Sequence, residues 1–236
     1  MPPGAASLTF VALPAIGLAV CTDLVVWQEK LVVQILRLVP AAKGREADKH
    51  HSRRYIEFMP YAITAPLDNA AAATVELMWH ELADRIGADG GVGLGCSPHI
   101  SLAILSDMAP AAKVEEAVFG GVLNNSEPFD VVLGSIGVFP GVPPVVWIGP
   151  VVTERLLTWH ASLYAALASL PVHPHYNPDA WVPHVTLSQE GLSSAAQAIE
   201  IVTSMWKGPI NVRLERIELV RFRPVQILRS EAFRYS

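Results

Sequence analysis

The sequence predicts an α+β fold, and three observations carry that prediction. Short β-branched runs and amphipathic helical stretches mix along the chain without the strict alternation of a doubly wound sheet. A five-residue frame, Pro98-His99-Ile100-Ser101-Leu102, recurs as Pro183-His184-Val185-Thr186-Leu187, and each copy opens a strand-like segment. The composition is globular: at 236 residues, 51% hydrophobic and only 17% charged, the chain is long and apolar enough for a substantial core.

Residues 1–58 read differently from the rest. The apolar run at 8–20 is short of the roughly 20 residues a membrane span requires. No Lys or Arg precedes it, so the charged start of a secretory signal is missing. Leu24, Trp27, Leu31, Ile35 and Leu38 recur at helical spacing over 23–39, and a basic, linker-like stretch follows at 41–54. The functional domain is therefore expected over 59–236, with 1–58 an accessory extension or a mis-assigned start.

From 61 to 65 the pattern is a strand. Asp68 then supplies a helix cap, and Val75, Leu77, Met78, Leu82 and Ile86 give a broad apolar helical face ending near Gly87. The glycines at 90–95 form a loop. Strands are expected at 99–105, 129–138, 145–148, 181–188, 210–221 and 224–230, with a Pro/Gly turn over 140–144. Helices are expected at 110–119, 152–170 and 193–206, the second carrying Leu156, Trp159, Leu163 and Leu167 on one side.

Charge and cysteine usage narrow the function classes. A net charge of −5 argues against an extended cationic surface for nucleic acid, because such binding rests on phosphate neutralisation. From Met59 onward there are ten Lys and Arg, which suits a small nucleotide-like ligand better than a long RNA. Cys21 and Cys96 have neither the number nor the spacing of a disulfide framework or a zinc site, and read as reduced thiols of a cytoplasmic protein. His173 and His175 flank Pro174, yet no carboxylate or cysteine pattern completes a metal site around them. No membrane attachment is expected, and a monomer is.

The repeated frame carries the chemistry. Along a strand, alternate side chains share a face. Each copy thus sets its imidazole beside its hydroxyl, while Ile100 and Leu102, or Val185 and Leu187, point into the core. A proline at the first position of a strand is tolerated because it need not donate a ladder hydrogen bond. In the middle of one sheet, two such strands would present two imidazoles and two hydroxyls to a single cleft.

That set suits attack on a phosphodiester. A neutral histidine takes a proton from water, and a protonated one gives a proton to the departing ribose oxygen. Ser101 and Thr186 donate to the non-bridging oxygens, where negative charge gathers in the transition state. The scheme calls for no metal or other cofactor. A single His-x-Ser is an ordinary strand feature. Two copies in one frame are not explained by a purely structural duplication, which gives no reason for histidine and hydroxyl to recur together.

On these residues the chain resembles the two-histidine (2H) phosphoesterase superfamily, which includes 2′-5′ RNA ligase-like proteins and cyclic nucleotide phosphodiesterases. The likeness extends to Tyr61-Ala62-Ile63, Leu67-Asp68, Gly137-Val138-Phe139-Pro140 and Trp181-Val182-Pro183-His184, spanning roughly 59–233. It implies a two-lobed pseudo-twofold fold, with antiparallel sheets lining a central cleft and helices outside. It also implies hydrolysis of a 2′,3′-cyclic nucleotide or a cyclic phosphate at an RNA end. His99 is assigned as general acid and His184 as general base, with Ser101 and Thr186 as phosphate clamps. The other readings are a nucleotide or RNA-end binding module without turnover, and RNA 2′-5′ ligation in the same cleft. Ser101 stands where threonine is more usual, which keeps the hydroxyl and loses the β-methyl.

Four further residues are candidates for the substrate. Tyr61 and Phe139 either stack on a base or pack internally. Arg221 and Arg223 alternate onto one face and either grip phosphate or base, or stand solvated. His160, inside the 152–170 helix, reads as a packed or surface histidine.

Overall fold

The structure, a computed structural model, describes residues 61–92, 95–105, 109–122, 126–188, 192–222 and 224–234. The expected helix at 23–39 and the linker at 41–54 lie outside the described residues, as does Arg223.

Strands β1 (Tyr61–Pro66), β2 (His99–Leu105), β3 (Phe129–Phe139), β4 (Val145–Pro150), β5 (Val185–Ser188), β6 (Ile210–Leu214), β7 (Arg216–Arg221) and β8 (Gln226–Ala232) form two antiparallel sheets. One has the order β2-β1-β7-β8 and the other β5-β4-β3-β6. The first helix, α1 (Asn69–Ile86), begins where the Asp68 carboxylate accepts the Ala70 and Ala71 backbone N–H groups at 3.0 and 3.1 Å. It ends at Gly87, whose left-handed backbone (φ 68°) suits a residue without Cβ. Its buried stripe of Val75, Met78, Trp79 and Leu82 follows helical spacing.

Helix α2 (Ala111–Ala117) runs into a π-helical turn, Val118–Val122. Helix α3 (Glu154–Ala166) is capped by the Thr153 hydroxyl, and α4 is Ala195–Met205. The covering helices are exchanged between lobes. Helix α1 follows a strand of the first sheet but packs on β5 and β6 of the second, beside α4, whereas α3 follows β4 and packs on β2. Asp68 secures that exchange, because its second carboxylate oxygen accepts the Arg213 backbone N–H of β6 at 2.7 Å. A single apolar cluster runs from Ile63 and Leu82 through Leu133 and Ile148 to Leu219.

The α+β two-lobed architecture matches expectation; three local features differ. The two histidine frames do not sit in the middle of one sheet. They lie on β2 and β5, the edge strands of separate sheets, which meet each other. The stretch 210–221 is two strands in different sheets, broken at Glu215. Buried apolar residues fall on alternate positions at Val212 and Leu214 in β6, whereas Ile217, Leu219 and Val220 are all buried in β7, so the period-two burial of the first strand does not carry through into the second. The strand expected at 181–188 begins only at Val185. Before it, Asn177 accepts the backbone N–H groups of Ala180 and Trp181, and Pro183 has none to offer a ladder.

Candidate active site

Each histidine is held by the same local bond. The His99 Nδ1–H donates to the Ser97 carbonyl at 2.8 Å, and the His184 Nδ1–H donates to the Val182 carbonyl at 2.7 Å. A carbonyl can only accept, so the neutral ring carries its proton on Nδ1 and keeps Nε2 as a free base. In both frames the residue between the carbonyl and the imidazole is proline. Burial alternates as the frame requires: His99, Ser101 and Thr186 are half-buried, while Ile100, Leu102, Val185 and Leu187 are sequestered.

The frame's fifth residue has its own role. Leu102 is the extra residue of a β-bulge against Ile63 and Thr64, and Leu187 is the extra residue of a bulge against Val146 and Trp147. Beside each bulge an indole from the other half of the chain caps the open strand edge. Trp181 Nε1–H donates to the Ser101 carbonyl, and Trp79 Nε1–H donates to the Thr186 carbonyl, both at 3.0 Å. On β2 the next carbonyl, of Leu102, accepts from His160 Nε2–H at 3.0 Å, and the His160 ring stacks on Trp181 at 3.7 Å. Edge groups that would otherwise be orphaned in the interior are thus satisfied, and the two histidine-bearing strands are pinned in register.

Cross-strand pairing shows what surrounds each histidine. In the first sheet Ser101 pairs with Thr64, Thr64 with Glu218, and Glu218 with Ser230, a polar row on the His99 face. In the second sheet Thr186 pairs with Trp147, and Trp147 with Gly137. The Trp147 ring lies flat on that strand, because a Cβ at Gly137 would come within 2.1 Å of it. Phe139 meets His184 edge-on at 4.9 Å, and Trp147 lies 6.1 Å from the same imidazole. One histidine therefore has a carboxylate in its surroundings and the other has two aromatic rings.

Burial pushes both imidazoles below their usual pKa, because the charged form loses solvation. For His99 the Ser97 carbonyl and the negative charge of Glu218 oppose that shift. For His184 the Val182 carbonyl opposes it, while the positive charge of His99 adds to it. Burial likewise pushes His160 down to about 4, against its bond to Leu102. Burial raises the Tyr176 phenol, against an opposing effect of the neighbouring Ser101 side chain, and the phenol stays protonated.

Of the residues expected from sequence, the structure brings together His99, Ser101, His184, Thr186 and Phe139. Tyr61 and Arg221 pair with each other across β1 and β7, three positions along from Thr64 and Glu218. Alternation puts them on the opposite face of the sheet from His99, where Tyr61 packs against the core. Trp147, Tyr176 and Glu218 were not expected, since only the pairing of distant strands, and for Tyr176 the packing of a short 3-10 turn (Pro174–Tyr176) on β2, brings them to the frames. Among the described residues no three His, Cys, Asp or Glu side chains are grouped to hold a metal ion, His173 and His175 included. No helix among them is long and apolar enough to cross a membrane.

Comparison with known proteins agrees with this geometry. The family model described as the 2′-5′ RNA ligase superfamily matches residues 88–225, more than half of the chain. The structure is similar to that of E. coli LigT complexed with 3′-AMP, at 17% identity and a TM-score of 0.52, covering 75% of this chain and 98% of LigT. It is similar also to TT0787 of Thermus thermophilus, at 16% identity and a TM-score of 0.51, covering 74% and 98%. At such identities these likenesses show a shared fold. No curated protein matches the chain in sequence. With paired His-x-Ser and His-x-Thr strands facing across two lobes, the chain belongs to the 2′-5′ RNA ligase superfamily of two-histidine phosphoesterases.

Proposed function

We propose that this domain, 59–236, hydrolyses a cyclic phosphodiester, a 2′,3′-cyclic nucleotide or a cyclic phosphate at an RNA end, without recruiting a metal. The supporting observation is that both imidazoles commit Nδ1–H to a backbone carbonyl and keep Nε2 free, each two residues from a hydroxyl. His184 Nε2 takes a proton from water, whose oxygen attacks phosphorus. Ser101 and Thr186 donate to the non-bridging oxygens. The bond from phosphorus to one ribose oxygen breaks, and His99 Nε2–H protonates that oxygen, giving a nucleoside monophosphate. Phe139 and Trp147 flank His184 as an apolar wall for the nucleoside. A bound 3′-AMP in LigT fits a ligand of this size.

The family description favours one second reading, since ligation is the same transfer with a ribose hydroxyl in place of water. Purified protein incubated with the four 2′,3′-cyclic mononucleotides separates these readings. Turnover to a single monophosphate isomer supports hydrolysis and identifies the bond broken. Inertness towards all four, with joining of a two-ended RNA, supports ligation.

A further inference from the structure

We infer that Glu218 is a positioning residue that biases the bound proton to His99 and so makes the two halves of a near-symmetric site unequal; this rests on the hydrolytic reading above. The two frames match in imidazole, hydroxyl, bulge and indole cap, and therefore do not themselves distinguish acid from base. Their surroundings differ. Glu218 is 9% exposed and stands in the cleft-face row of the first sheet, two strands from Ser101. The corresponding row from Thr186 carries Trp147 and Gly137.

The carboxylate is itself built in. Its Oε1 accepts from the Ser230 hydroxyl at 3.2 Å and lies 3.6 Å from Arg216 Nε. A carboxylate so placed favours the charged form of an imidazole on the same face of the sheet. Burial lowers His99, and the Ser97 carbonyl and then the charge of Glu218 oppose that shift; burial raises the Cys96 thiol, and the charge of Glu218 adds to it. The ionisable groups around His99 are Glu218 with its partner Arg216 from β7, His184 across the cleft, and Cys96 on the preceding loop, and of these Glu218 alone is a carboxylate. Protonated His99 in turn disfavours a second proton on His184. The pair therefore reaches the acid–base state with His99 charged and His184 neutral, as the proposed reaction requires.

Histidine Cε1–H titration by NMR tests this directly, with resonances assigned through His99→Ala and His184→Ala. In the wild type His99 should retain its proton to higher pH than His184. Glu218→Gln, which keeps the bond to Ser230, should lower the His99 midpoint by about one pH unit. Glu218→Asp should restore it in large part, and Arg216→Gln, which leaves the carboxylate uncompensated, should move it upward. Unchanged His99 midpoints in both Glu218→Gln and Arg216→Gln would overturn the inference.

Activity supplies a second readout. A deoxynucleoside 3′-(4-nitrophenyl phosphate) has a leaving group that needs no general acid. Glu218→Gln and His99→Ala should lose turnover of the cyclic nucleotide, roughly 10- and 100-fold or more, but lose far less on the aryl ester. Equal losses on both substrates would contradict the role. Absence of wild-type turnover on both would sink the hydrolytic reading, and the titration would still decide what Glu218 does.

Discussion

Trp79 in α1 donates its indole N–H to the Thr186 carbonyl at 3.0 Å, across 107 positions of sequence. Trp181 does the same for Ser101 across 80 positions. The pair behaves as two exchanged clasps, each half of the chain holding the reactive edge strand of the other. Both bonds fall on the hydroxyl residue of the frame, one residue before its bulge. A shift of either strand would therefore move an imidazole and a hydroxyl together.

Trp79→Phe should remove one clasp while keeping most of the apolar volume. Leaving the Thr186 carbonyl unsatisfied costs about 1–3 kcal/mol, and turnover should fall with it. Denaturant unfolding of the variant checks this, and unchanged stability would show that the indole only fills space.

The paired histidine frames of this arrangement were legible in the sequence. Pro98-His99 and Pro183-His184, the hydroxyls two residues on and the alternating burial all follow from one five-residue frame with a period of two. Asp68 and Gly87 likewise announce the limits of α1, because capping is local chemistry. The division of labour between the halves was not legible. Glu218 and Trp147 reach the frames only through register between strands far apart in sequence, Tyr176 comes from a short 3-10 turn that packs on β2, and register likewise puts Tyr61 and Arg221 on the face away from His99. A signal for the break at Glu215 was present, in the change of apolar parity between Leu214 and Ile217, but the polar–apolar alternation from Ile210 to Leu214 and again from Arg216 to Leu219 conceals it.

The pH dependence of kcat/KM should be bell-shaped, with its maximum on the acid side of pH 6.5. The ascending limb reports loss of the proton from the base and the descending limb loss of the proton from the acid. Burial pushes both imidazoles down, so both limbs move to lower pH than free histidine would give. A rate profile measured from pH 4 to 9 checks this, and a maximum above pH 7.5 would contradict it.

His160 should make the fold acid-sensitive. Its folded pKa of about 4 lies below the ordinary 6.5, so the unfolded chain binds more protons between those values. The stability it contributes is whole above pH 6.5 and is lost as pH falls towards 4, on the order of 3 kcal/mol. Unfolding free energies at pH 7 and 4.5, compared with those of His160→Gln, measure it. An equal acid loss in both proteins would assign the sensitivity elsewhere.

Ser101→Ala and Thr186→Ala should each lower kcat by roughly 10- to 1,000-fold, with smaller changes in KM, since these hydroxyls serve charge that develops in the transition state. Tyr176→Phe, which removes the hydroxyl beside Ser101, should fall between Ser101→Ala and the wild type. A loss confined to KM would make the hydroxyls ground-state contacts only.

The central claim is that His99 and His184 act as one acid–base unit, and a double-mutant cycle on 2′,3′-cyclic nucleotide hydrolysis tests it most directly. His99→Ala and His184→Ala should each reduce kcat by roughly 100- to 10,000-fold, and the double variant should be scarcely worse than either alone. Losses that multiply in the double variant, or a single variant that retains wild-type turnover, would contradict the paired mechanism.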